Sequence, residues 1–125
     1  MKKILIIDDE LSIVNFIADV ARVLGFESKF LTSGKKAFST AKEWKPDVIT
    51  LDIMIPSPNG LEVLALLKAD PETASIPVFV ISAVTQNPEI REKLSHAQAV
   101  FTKPMDTKDF ITHLRNLDST PKPAA

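Results

Sequence analysis

Apolar residues along the chain follow two alternating spacings, which predict strands that alternate with helices. Short runs of consecutive apolar, often β-branched residues are typical of strands buried on both faces of a parallel sheet. Such runs predict strands at residues 3–7, 48–51, 78–82 and 99–102, and the more polar residues 27–31 are interpreted as a further strand. Apolar residues at helical spacing predict helices at residues 11–24, 35–43, 61–68, 88–95 and 106–117.

This regular alternation predicts an α/β fold. Consecutive β-α-β units are right-handed and place parallel strands in one sheet with helices on both faces. A closed barrel of this kind needs eight units. The pattern therefore favours an open, doubly wound sheet of five strands.

Length and charge narrow the class of protein further. A chain of 125 residues suits one domain, which we place at residues 1–118, with residues 119–125 as a tail or the start of a linker. A formal net charge of −1 gives no electrostatic case for direct nucleic-acid binding. No apolar run approaches the ~20 residues of a membrane-spanning helix, and the absence of Cys is compatible with a reducing cytoplasm.

Acidic residues directly follow two of the predicted strands. Asp8 and Asp9 follow the first strand, and Asp52 follows the third. Parallel strands end at the same edge of a sheet, where open α/β sheets bind ligands. Two like charges ~4 Å apart repel by about 4 kcal/mol at an effective dielectric of ~20. The sequence therefore predicts a cation at this edge, and Mg²⁺ is the hard ion that prefers such oxygen ligands.

The fourth and fifth strands end in residues that suit phosphoryl chemistry. Ser82 supplies a hydroxyl and Lys103 an ammonium group at the same predicted edge. A carboxylate that attacks a phosphoryl group needs the charge on the phosphoryl oxygens to be neutralised. The combination of a metal ion, Ser82 and Lys103 therefore suggests transfer of a phosphoryl group onto Asp52.

These residues and their spacing resemble the receiver domain of two-component response regulators, and especially its single-domain, chemotaxis-regulator-like members. The resemblance covers residues 3–117. It depends on four motifs at strand ends: Asp8-Asp9, Asp52 with Pro56 and Gly60, Ser82-Ala83, and Lys103-Pro104. It implies a flavodoxin-like fold with the strand order 2-1-3-4-5.

The resemblance also implies a role for each of these residues. Asp52 would be the phosphorylation site, and Lys103 and Ser82 would bind the phosphoryl group. Ala83 would leave room for that group, and the peptide bond before Pro104 would be cis. The implied Mg²⁺ ligands are Asp9, Asp52 and the carbonyl of Met54, with Asp8 acting through water.

The position three residues before the lysine departs from the family pattern. Receiver domains commonly carry an aromatic residue three positions before the lysine, and this chain has Val100 there. Phe101 is adjacent, but strand alternation directs it to the opposite face of the sheet. We therefore expect a signal path that differs from the usual aromatic switch.

The resemblance implies partners as well. The phosphoryl donor would be a histidine kinase or a histidine phosphotransfer protein, and the output would be a downstream effector protein or output domain. A phosphorylation-linked homodimer stays open, as does excision from a longer regulator. The protein would not be an enzyme in the usual sense, since it would catalyse only its own phosphorylation and slow autodephosphorylation.

Two alternative functions stay open. One is a small Mg²⁺-dependent phosphatase with an aspartyl nucleophile, although such enzymes normally carry an acid at the position of Met54. The other is a receiver-like docking domain that is never phosphorylated, which the complete acidic set disfavours.

Overall fold

A computed structural model describes residues 2–56 and 58–118 of the chain. Its centre is a five-stranded, all-parallel sheet with the order β2-β1-β3-β4-β5, as the resemblance implied. The strands are β1 Lys2–Ile7, β2 Phe26–Leu31, β3 Val48–Leu51, β4 Val78–Ser82 and β5 Ala99–Thr102. The predicted flavodoxin-like fold is confirmed.

Each strand is followed by a helix. The helices are α1 Leu11–Val23, α2 Ala37–Trp44, α3 Gly60–Ala69, α4 Pro88–Lys93 and α5 Thr107–Arg115, with a final 3-10 turn at Asn116–Asp118. Gly25 ends α1 with a left-handed φ of 87°, a conformation that glycine adopts without steric cost. The predicted tail, residues 119–125, lies outside the described residues.

The apolar runs of the strands supply two separate cores, one on each face of the sheet. Alternate residues of β1 divide between them, so that Leu5 and Ile7 face one side while Ile4 and Ile6 face the other. The first core also contains residues of α2 and α3, and the second contains residues of α1 and α5. Burial on both faces explains why the central strands lack polar alternation.

The buried face of α1 differs slightly from the predicted stripe. The helical spacing predicts an inward face that includes Phe16, Ile17 and Val20, but the fully buried residues are Val14, Ile17 and Ala21. Phe16 and Val20 are half-buried at the side of this face. The inward face of α1 therefore includes the small Ala21, while Phe16 and Val20 flank it.

None of the helices within residues 2–56 and 58–118 combines the length and the apolar character needed to cross a bilayer.

Candidate functional site

The carboxyl edge of the sheet brings the predicted acids and the lysine together. Backbone hydrogen bonds extend past the strand ends and fix these residues. The amide of Asp52 donates to the Ile7 carbonyl at 2.9 Å, and the amide of Asp8 donates to the Leu31 carbonyl at 3.0 Å. The main chain at the site is therefore a continuation of the sheet.

Lys103 forms the centre of the site. Its Nζ lies 2.7 Å from Glu10 Oε1, 3.0 Å from Asp52 Oδ2 and 3.3 Å from Asp8 Oδ2. The side chains of Asp8 and Asp52 are only 3% and 4% exposed, whereas that of Glu10 is 55% exposed. Three carboxylates thus share one largely buried ammonium group. Two of these carboxylates are buried, and that of Glu10 is partly exposed to solvent.

The second oxygen of each buried aspartate is also occupied. Asp52 Oδ1 accepts the amide of Met54 at 3.0 Å, and Asp8 Oδ1 accepts the amide of Glu10 at 2.9 Å. Each carboxylate is therefore held in one orientation by an amide on one side and by Lys103 on the other.

Burial and charge shift the pKa values of this group. Burial alone would lower the pKa of Lys103, but hydrogen bonds to Glu10 and Asp52, together with the charges of Asp52 and Asp8, raise it well above its ordinary value. Burial raises the pKa of Asp8, and the nearby charge of Asp52 adds to that effect despite the opposing contacts with the Glu10 amide and Lys103. The site therefore holds more negative charge than its single lysine neutralises.

The same oxygens suit a divalent cation. Within residues 2–56 and 58–118, one group of acids has ligand atoms that all lie within 4.8 Å of one another, and it consists of Asp8, Glu10 and Asp52. Carboxylate oxygens are the donors that Mg²⁺ prefers, so the set fits that ion. Asp9 is exposed and does not belong to this group, and the Met54 side chain is 60% exposed.

Gly60 packs closely against the loop that carries Asp52 and Met54. A Cβ on Gly60 would lie 2.4 Å from the Asp52 carbonyl oxygen and 2.4 Å from the Ile53 Cα, which no side chain tolerates. The amide of Gly60 donates to the Ile53 carbonyl at 2.9 Å. Glycine at this position therefore allows α3 to begin directly against the backbone of Asp52.

Ser82 has a polar atom without a partner. The residue is fully buried at the end of β4, and its Oγ has no hydrogen-bond partner among the described residues. Buried hydroxyls are nearly always paired, so an unpaired one suggests a ligand that is bound only in another state. Its carbonyl accepts the Lys103 amide at 3.1 Å, which places the two residues side by side. Ala83, the next residue, is exposed.

Val100, the position that departs from the family pattern, lies on β5 next to the buried Phe101. Val100 is 42% exposed, and Phe101 is buried in the core shared with α1 and α5, as strand alternation predicts. The buried Thr85, in the loop after β4, shares a hydroxyl–hydroxyl hydrogen bond with Thr102 of β5. This bond links that loop to β5.

Two residues at the site were missed from the sequence. The sequence pattern did not assign a role to Glu10, which follows Asp9 after the same strand. Thr85 lies in a loop without periodicity, so no spacing pattern marked it. The Lys103–Pro104 peptide bond, by contrast, is cis as the resemblance implied.

Comparisons with known proteins agree with this geometry. Residues 4–115 match the family model described as the response regulator receiver domain. The chain is 30% identical over 115 residues to the DNA-binding response regulator MtrA of Mycolicibacterium paratuberculosis, covering 91% of this chain and 50% of that protein. It is 31% identical over 116 residues to the polar-differentiation response regulator DivK of Brucella ovis, covering 92% of this chain and 94% of DivK.

A solved structure shows the same fold. The receiver domain of the sensor histidine kinase PA1611 from Pseudomonas aeruginosa, whose structure has a magnesium ion coordinated in the active site cleft, superposes with a TM-score of 0.84 at 18% identity. That match covers 95% of this chain and 98% of the other.

The chain belongs to the family of response regulator receiver domains. Members of this family are phosphorylation-activated modules of two-component signalling, and they bind Mg²⁺ at an acidic site. The chain spans half the length of MtrA, so the DNA binding in that relative's name describes the relative.

Proposed function

We propose that Asp52 accepts a phosphoryl group from a histidine kinase or a histidine phosphotransfer protein. The observation that carries this proposal is the meeting of a buried carboxylate, a buried ammonium and an unpaired buried hydroxyl at one edge of the sheet. Lys103 lies 3.0 Å from Asp52, and Ser82 Oγ lacks a partner among the described residues. Together these groups can orient a phosphoryl group and neutralise its charge.

The transfer is a displacement at phosphorus. A carboxylate oxygen of Asp52 forms the new O–P bond, and the P–N bond to the donor histidine breaks, so that the imidazole leaves with its electron pair. Lys103 is already at Asp52 before transfer and can follow the charge onto the phosphoryl oxygens. The Ser82 hydroxyl then donates a hydrogen bond to one of those oxygens.

Mg²⁺ would neutralise further charge on the phosphoryl oxygens when it is bound. Asp9, Asp52 and the Met54 carbonyl would hold it directly, with Asp8 acting through water. The proximity of the Asp8 and Asp52 carboxylates supports this role, and Asp9, the neighbour of Asp8 in the sequence, is exposed. Turning Asp9 toward the site is therefore part of the proposal.

The structural response would start at Ser82. Movement of this hydroxyl toward the phosphoryl group would pull the loop that follows β4. In this loop Ala83 would leave space for the group, and Thr85 forms a hydrogen bond with Thr102. We assign the transmission of the signal to this pair of threonines. Val100, which is aliphatic and 42% exposed, then forms part of the output surface instead of moving inward as a ring would.

The remaining features concern turnover and partners. Met54 and Val84 are apolar and would not orient an attacking water, so autodephosphorylation would be slow. The protein would catalyse only these reactions of its own aspartate. Its output would be contact with an effector protein or output domain in the cytoplasm, or a phosphorylation-linked homodimer, without direct binding to nucleic acid.

Intact-mass spectrometry tests the proposal. With Mg²⁺ and acetyl phosphate, the mass should rise by one phosphoryl group, and Asp52→Ala should abolish the gain. Asp19→Ala is the matched control, since Asp19 is an exposed aspartate that pairs only weakly with Arg22 at 3.4 Å. Uptake that survives in Asp52→Ala would contradict the assignment, and steady turnover of a phosphate ester would favour the phosphatase.

A further inference from the structure

Glu10 occupies a position at which a helix usually takes a capping side chain. It is the N-cap residue of α1, yet its side chain makes no capping hydrogen bond. Asn59, Asn87 and Asp106 hold the same position in α3, α4 and α5, and each accepts a backbone amide of its helix. The Glu10 carboxylate instead binds Lys103.

The contact with Glu10 is the shortest of the three that Lys103 makes with carboxylates. It measures 2.7 Å, against 3.0 Å to Asp52 and 3.3 Å to Asp8. The carboxylates of Asp8 and Asp52 are buried and held by backbone amides, whereas the Glu10 side chain is 55% exposed. Of the three, Glu10 is therefore the one that can leave Lys103 by turning toward solvent.

A phosphoryl group on Asp52 needs the same ammonium. It is an anion, so it competes with the Glu10 carboxylate for Lys103 and is repelled by that carboxylate at short range. We propose that Glu10 is a positioning residue that holds Lys103 before phosphorylation and competes with the phosphoryl group for its ammonium. This inference rests on the proposed function of Asp52.

Such competition gives Glu10 a regulatory effect. The ion pair between Glu10 and Lys103 stabilises the unphosphorylated site and thereby lowers the affinity of the site for a phosphoryl group. Removing the Glu10 charge while keeping its shape should then favour the phosphorylated state. If Glu10 were instead a direct metal ligand, its removal would weaken Mg²⁺ binding and would not strengthen the binding of a phosphoryl group.

The test uses the full chain and beryllium fluoride, which mimics an aspartyl phosphoryl group. Its affinity at saturating Mg²⁺ is measured by fluorine NMR, and Mg²⁺ affinity alone is measured by calorimetry. For Glu10→Gln we expect beryllium fluoride to bind about fivefold more tightly, in keeping with the loss of a partly exposed ion pair. Mg²⁺ affinity should fall by a smaller factor than this rise.

Two further variants separate charge from reach. Glu10→Asp keeps the charge but shortens the side chain, and aspartate favours the N-cap position, so it should release Lys103 and behave like Glu10→Gln. Glu27→Gln removes an exposed carboxylate from the N-terminal half of β2, at the other end of the strands, and should change neither affinity.

Each outcome decides the question. Unchanged or weaker binding of beryllium fluoride to Glu10→Gln overturns the inference, as does a loss of Mg²⁺ affinity larger than the gain, which would make Glu10 a metal ligand. Failure of beryllium fluoride to bind the wild-type protein would overturn the function of Asp52 and this inference together. Nitrogen NMR of the Lys103 ammonium adds a readout without phosphoryl chemistry, since its mobility should rise in Glu10→Gln.

Discussion

Lys103 and Lys42 both bind carboxylates from distant parts of the chain, but in opposite surroundings. Lys42 Nζ lies 3.2 Å from Asp70 and 3.1 Å from Glu72, distances close to those around Lys103. The Lys42 side chain is 37% exposed, against 12% for Lys103. The two clusters therefore share their chemistry and differ in their access to water.

The aspartates of the two clusters show what this difference means. Asp70 has a lowered pKa, because the Glu72 amide and Lys42 favour its charged form. Asp8 also contacts a lysine, yet its pKa is raised, because burial and the charge of Asp52 outweigh that contact. In the exposed cluster the ion pair thus stabilises the charged aspartate. In the buried cluster the negative charge remains unfavourable, and a bound cation would stabilise it.

Removing the central lysine should give the largest effect. Lys103→Met leaves Asp8 and Asp52 buried without their counter-ion, and breaking such a buried pair costs about 3 kcal/mol. Urea unfolding in metal-free buffer measures the loss. Mg²⁺ should restore part of the stability, since it binds only the folded site. A stability equal to that of the wild-type protein would place this cluster in the same class as the one around Lys42.

Loss of the Thr85 hydroxyl should have a smaller effect on stability and a specific effect on signalling. Thr85→Val removes a buried hydrogen bond to Thr102 and should cost about 1 kcal/mol. Amide NMR shifts in β5 on addition of beryllium fluoride should shrink, while phosphorylation of Asp52 persists.

Ser39→Ala is the control for this change, since it removes an exposed hydroxyl that bonds the Lys36 carbonyl on α2. Full-sized shifts in β5 of Thr85→Val would contradict the proposed path through the two threonines.

The fold was predictable because burial on both faces of the sheet imposes consecutive apolar residues on every central strand. The meeting of Asp8, Asp52 and Lys103 followed from one geometric fact, that parallel strands end at a common edge. The contact between Glu10 and Lys103 could not be predicted in the same way. Which carboxylate after β1 reaches Lys103 depends on the dihedral angles at the start of α1, where the strand alternation no longer applies.

Loops and helix rotation limited the prediction elsewhere. The contact between Thr85 and Thr102 joins an irregular loop to a strand, and no periodicity in the sequence signals such a pairing. The inward face of α1 includes the small Ala21 together with Val14 and Ile17, and the spacing of the large apolar residues did not indicate this rotation of the helix.

Neutralising Asp8 should stabilise the metal-free protein. Asp8→Asn keeps an acceptor for the Glu10 amide and removes a buried charge, so we expect a gain on the order of 1 kcal/mol at neutral pH. Because the folded-state pKa is raised, the cost of the Asp8 charge is fully present above that pKa. The gain should disappear as the pH falls through it toward the ordinary value of 3.8. Urea unfolding over this range measures it, and a gain independent of pH would contradict the explanation.

A substitution in the exposed cluster around Lys42 should give the smallest effect on stability, with a sign opposite to that of Asp8→Asn. Asp70→Asn removes a carboxylate whose pKa is lowered, so its contribution is present above the ordinary value of 3.8 and is lost as the pH falls through the lowered value. Solvent and salt screen this contribution, and we expect only a slight fall in the urea midpoint at neutral pH, which vanishes in high salt. A loss as large as that of Lys103→Met would show that access to water does not separate the two clusters. A slight, salt-sensitive loss of stability would mean that burial, and not the set of charged residues alone, distinguishes the cluster around Lys103 from the exposed one.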